Sequence, residues 1–152
     1  MSSPTVSVEL DGLQETLRAF QGLEKDLRRV ANGELRRAAG ECASALVGDL
    51  QTSAASSGVP VAPRVARSAK VRSDRLPAVA IGGSARVGRR GAPASALVWG
   101  SEHGPSGAVN HFGVPPGGGY WIKPAVERFK SSRAVAIFSD AVAAIQRRWG
   151  LA

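Results

Sequence analysis

Sulfur, histidine and aromatic residues are all scarce in this chain. Its one cysteine, Cys42, excludes an internal disulfide, and one cysteine with two histidines is too little for a structural zinc site, which normally takes four Cys or His ligands. Neither a metal nor a cofactor is expected. No apolar run approaches the roughly 20 residues needed to cross a bilayer, and the Ser-rich start lacks a hydrophobic signal core. The expectation is a soluble protein outside the standard secretory route. Hydrolase signatures are missing as well, with neither G-x-S-x-G nor S-x-x-K present. His103 and His111 share one turn-rich loop without a carboxylate cluster to support acid-base work, so the chain reads as a non-enzyme. Gly117-Gly118-Gly119 has no Lys-Ser/Thr after it and cannot serve as a phosphate loop; it suits a tight turn or a close backbone approach. There is no helix-turn-helix or zinc finger, and the few aromatics do not interleave with basic residues as they do on single-strand-binding surfaces.

What is present fits one domain spanning residues 1–152, long enough to bury a real core. Eighteen glycines and nine prolines imply that loops take up much of the chain. The formal charge is +8 and unevenly spread: between Arg64 and Arg90 eight basic residues face one acid, Asp74. Such a run is either a solvated face or a contact for phosphates or an acidic protein surface. Cys42 falls on the apolar face of a helical pattern and reads as a small buried hydrophobe.

Along the chain, Val6 to Leu10 alternates like a short strand, and Asp11 with Gln14 resembles a capping box opening a first helix. Asn32-Gly33 interrupts that pattern. A second helix is expected from Glu34 to about Thr52, with Leu35, Ala39, Cys42, Leu46 and Leu50 on one face, so the two helices would form an antiparallel hairpin. Strands are expected at Val65–Val71 and Ala78–Ile81, with Arg72 to Pro77 as their turn. Residues 82–93 carry too little apolar surface to offset the entropy of ordering and are expected to form a flexible Gly/Arg-rich loop. Two further strands are expected at Ala96–Trp99 and Gly119–Ile122. A long helix should start at Pro124 and run to Trp149, with Phe129 and Phe138 on its apolar stripe and a disturbance at Ser131-Ser132. The fold class is therefore α+β: an N-terminal helical hairpin and a long C-terminal helix packed on a small, mostly antiparallel sheet.

The stretch from Ala96 to Val126 holds two of the three tryptophans, the one tyrosine and both histidines. Within it, His111-Phe112-Gly113 and Trp121-Ile122-Lys123-Pro124-Ala125 follow an order that resembles the "E-F-G … P-F-L-R-P-A" signature of the gene-product-ten-like neck and tail-completion family of long-tailed bacteriophages. His111 stands where that family usually has an acidic residue. Val8 to Leu13 resembles the family's opening, and Arg64 to Val71 its strand entry. The resemblance implies the same α+β arrangement. It also implies a structural virion protein of the head-to-tail connector, assembled in the host cytoplasm, that forms a homo-oligomeric ring between the capsid's portal complex and the tail tube. Its partners would be itself, neighbouring connector or stopper proteins and tail tube or terminator proteins, with non-specific contact to DNA in the channel. Candidate interface residues are Trp99, His111, Phe112, Tyr120 and Trp121, with Arg86, Arg89 and Arg90 in the loop that would order on a partner. Trp99, Trp121 and Tyr120 also have a core reading, which is the commoner place for such side chains. The alternative function is a small basic nucleic-acid-binding module that uses the Arg64–Arg90 patch.

Overall fold

A computed structural model describes residues 5–9, 25–73, 77–87, 90–107 and 109–148. The spine is helix α1, Lys25–Ser56. Ala31, Leu35, Ala38, Ala39, Cys42, Ala43, Leu46 and Leu50 recur at intervals of three and four, which places them on one buried stripe. The expected break at Asn32-Gly33 does not occur, because Ala31 and Leu35 bury on either side of it and Glu34 and Glu41 both pair with Arg37 across the following turns, at 3.2 and 3.1 Å. Tertiary packing outweighs the roughly 1 kcal/mol that a helical glycine costs. The helical hairpin is thus replaced, within the described residues, by one continuous helix; the first arm from Asp11 to Glu24 lies outside them. The helix ends where the hydroxyls of Ser56 and Ser57 turn back to carbonyls one turn earlier and Gly58 adopts φ +76°.

Next come the short helix α2, Ala62–Ala66, the strand β2, Lys70–Ser73, and the strand β3, Pro77–Gly82. Of the expected strand at Val65–Val71, Val65 and Ala66 instead close a helix and only Lys70 and Val71 are strand. Pro63 sits in the first turn, where its missing N–H costs nothing, and Ala62, Val65 and Ala66 bury at helical spacing. With β1, Thr5–Glu9, the strands form a three-stranded antiparallel sheet ordered β1-β3-β2, in register Val8↔Val79 and Lys70↔Ala80. Val79 and Ile81 of the central strand point into the core.

The remaining elements are helices α3, Ala94–His103, α4, Ile122–Ser131, and α5, Arg133–Arg148. Neither Ala96–Trp99 nor Gly119–Ile122 is a strand. Ala94, Ser95, Val98, Ser101 and Glu102 bury along one helical face, and Ile122 opens α4. A four-residue apolar run suits either period; only its packing against α2 and β3 decides. The C-terminal helix is broken at Ser132, where the backbone leaves helical geometry (φ −131°, ψ −75°) and both Ser131 and Ser132 donate to the Arg128 carbonyl. Phe129 and Trp121 are fully buried, whereas Phe138 is half-buried at the edge of the core. Helices α4 and α5 both lie along α1, and Arg133 pairs with Asp49 there. The fold is α+β. No helix among the described residues is long and apolar enough to cross a membrane.

Candidate interface around helices α3 and α4

The segment from Val109 to Tyr120 folds back on the end of α3, held by side-chain and backbone contacts. Asn110 accepts the N–H groups of Phe112 and Gly113 through Oδ1, at 3.1 and 2.9 Å, and its Nδ2 donates to the Val114 carbonyl. This is an Asx-type turn, in which a side chain stands in for backbone. The Phe112 ring lies directly on Gly100; a Cβ there would come within 2.0 Å of it. At Gly104 the chain leaves α3 with φ +79°, and a Cβ would meet the Pro115 carbonyl oxygen at 2.6 Å. The backbone then pairs Gly117 N–H with His103 O and Tyr120 N–H with Glu102 O. Tyr120 donates its hydroxyl to the Pro115 carbonyl.

The loop delivers the chain to a buried clasp. Helix α4 has no capping side chain of its own, since its N-cap residue is Trp121. Glu102, on α3 and buried, supplies the cap from twenty residues away. Its Oε2 accepts the N–H groups of Trp121 and Ile122 at 2.9 and 2.7 Å, and its Oε1 accepts that of Lys123 at 2.9 Å. A carboxylate placed against the positive end of a helix and given three N–H donors is a satisfied buried charge. Beside it the Trp121 indole N–H donates to Ser101, and Ser53 of α1 donates to the Trp121 carbonyl at 2.7 Å. One tryptophan and one carboxylate thus tie together α1, α3 and α4.

Outside the clasp, α3 and α4 enclose a groove of about 420 Å³. Val98, Ile122 and Val126 form its apolar floor, and Lys123, Glu127 and Lys130 stand around it. Trp99 overhangs it, 67 % exposed, with its ring 4.1 Å from that of His103. A tryptophan left this exposed beside an apolar groove has the makings of an interface anchor.

The residues singled out from the sequence therefore separate. Trp99 lies exposed at the groove and His111 exposed on the loop, while Phe112 and Tyr120 are half-buried and brace the loop internally. Trp121 is a correction: it is 0 % exposed, and so belongs to the core instead of a contact surface. Arg86 and Arg90 are exposed, and Arg89 lies outside the described residues. The loop that carries them is crossed by an Arg86↔Pro93 bridge and by hydrogen bonds from Val87 N–H to Ala92 O and from Ala94 N–H to Ala85 O. Sequence reasoning missed Glu102. Its signal was present, as it is the one acidic residue between Asp74 and Glu127, but the strand assigned at Ala96–Trp99 hid the helix that aims it. Among the described residues, no group of three or more His, Cys, Asp or Glu is placed to hold a metal ion. Comparisons with protein-family models, with curated proteins and with solved structures find no match to this chain.

Proposed function

We propose that this chain is a structural virion protein of the phage head-to-tail connector, a neck or tail-completion component that joins portal complex to tail tube as a homo-oligomeric ring. The reading starts from the signature-like order of His111-Phe112-Gly113 and Trp121 to Ala125. The observation that carries it is the surface beside the second of these segments: a clasped helix start next to an apolar groove that leaves Trp99 67 % exposed. An exposed aromatic next to a preformed apolar groove suits protein–protein contact, since such anchors contribute about 2 kcal/mol or more when they are buried at an interface. In a ring each subunit repeats the contact, so one weakened anchor is multiplied by the symmetry.

Electron microscopy of lysates of the phage deleted for this chain is the test. Filled heads should accumulate beside unjoined tails, or tails defective at their head-proximal end, and Trp99→Ala should reproduce part of that phenotype while leaving the purified protein folded. Normal, infectious tailed particles from the deletion would overturn the reading.

A further inference from the structure

Arg64, Arg67, Lys70 and Arg72 lie on a helix end and a strand that meet in the fold. Ser68 is the hinge of that meeting: its hydroxyl donates to the Val65 carbonyl at the end of α2 and accepts the Gly82 N–H at 2.9 Å where β3 gives way to the loop. Lys70 pairs with Ala80 in the next rung. The basic end of α2 and the edge strand β2 therefore share one corner of the molecule. Arg64 and Arg67 are three apart along helical backbone, hence neighbours on its surface, and Lys70 and Arg72 project from the same side of a strand.

Three features decide what such a corner fits. Arg64, Arg67 and Lys70 are exposed, and no ion pair among the described residues engages them; the ion pairs of Arg37 and Arg133 lie on α1 and α5. Like charges held this close repel, and an incoming polyanion relieves the repulsion. Among the described residues the corner also offers no apolar anchor. Val65, Ala66, Val79 and Ile81 are buried, and the large exposed apolar residues, Trp99, Val109, Val135 and Val142, lie elsewhere in the chain. A protein interface would need an apolar centre, whereas a phosphate backbone needs only cations. Finally, residues 57 to 98 contain no Phe, Tyr or Trp on which unpaired bases could stack, which favours a duplex over a single strand.

From this we infer that the corner formed by α2 and β2 is a sequence-independent binding surface for the phosphate backbone of double-stranded nucleic acid. It is distinct from the groove under Trp99, and it stands whether or not the connector reading holds.

The test is fluorescence anisotropy of the full chain with a mixed-sequence duplex DNA of roughly 30 base pairs, titrated with salt between about 50 and about 200 mM. Affinity should fall linearly in log–log form. Arg64→Gln, Arg67→Gln and Lys70→Gln combined should lessen the slope by about 2.7, at about 0.9 for each phosphate no longer neutralised. Arg29→Gln, Arg36→Gln and Arg147→Gln combined remove the same charge from exposed sites on α1 and α5 and should change the slope by less than about 1. Equal losses in the two triple variants would reduce the effect to net charge and overturn the inference. So would polyglutamate competing as well as duplex at equal charge, which would point to an acidic protein surface, and so would the absence of duplex binding at the lowest salt. None of these failures touches the head-to-tail joining phenotype, so the two readings fall separately.

Discussion

Removing the Glu102 carboxylate should unfasten the start of α4. Glu102→Gln is nearly isosteric, yet it replaces one of two acceptor oxygens with an amide donor. If the remaining oxygen keeps the Trp121 and Ile122 N–H groups, the new NH₂ faces the Lys123 N–H across a gap that is 2.9 Å in the native protein. Two donors then oppose each other, and the attraction of the carboxylate for the helix end is lost. Hydrogen bonds to a charged group contribute about 1.5 to 3 kcal/mol each, and water can replace part of that for Ile122 and Lys123 because neither residue is buried. The expected loss is about 2 to 3 kcal/mol for Gln. For Glu102→Ala it is about 3 to 5 kcal/mol, since all three donors are orphaned and a hole opens beside Trp121. Glu102→Asp should fall between, its shorter arm failing to span the three N–H groups. Urea denaturation with unchanged m-values measures these differences directly, and a thermal melt should register about 4 to 9 °C for Gln. Amide exchange at Trp121 to Lys123 should accelerate ahead of the rest of α4. Stability within about 0.5 kcal/mol of wild type for both Gln and Ala would refute the clasp.

Phe129→Ala should destabilise the protein by about 3 to 5 kcal/mol because its ring is 2 % exposed, while Trp99→Ala should stay within about 0.5 kcal/mol; equal melting temperatures for the two variants would contradict the assignment of core and surface. Gly33→Ala and Gly48→Ala, where an added Cβ meets nothing within 4 Å, should each stabilise α1 by about 0.5 to 1 kcal/mol, a gain read as a higher urea midpoint. Cys42 is buried, and burial pushes its thiol up to about 11, so a thiol-specific reagent should label it only after unfolding. The neutral thiol is the form the fold favours. Its contribution is complete below about pH 9 and fades as pH rises toward 11, and Cys42→Ala should remove that alkaline slope from the stability curve.

Periodicity carried most of the helical core. The stripe from Leu35 to Leu50 is legible because apolar residues at three- and four-residue spacing bury only on a helix, and the break at Ser131-Ser132 is legible because adjacent serines offer hydroxyls that compete for backbone carbonyls. The strand at Ala78–Ile81 followed from small and β-branched residues bounded by Pro77 and Gly82. Three features waited on tertiary structure. Asn32-Gly33 reads as a stop, yet the burial of Ala31 and Leu35 carries the helix through it. Ala96–Trp99 satisfies either period, and its packing against α2 and β3 made it helical, which in turn aimed Glu102 at the start of α4. Trp99 and Trp121 are the same side chain in the same stretch, and nothing local distinguishes them. Only the positions of α1 and α3 enclose Trp121 and leave Trp99 in solvent, because burial belongs to the assembled surface and not to the residue.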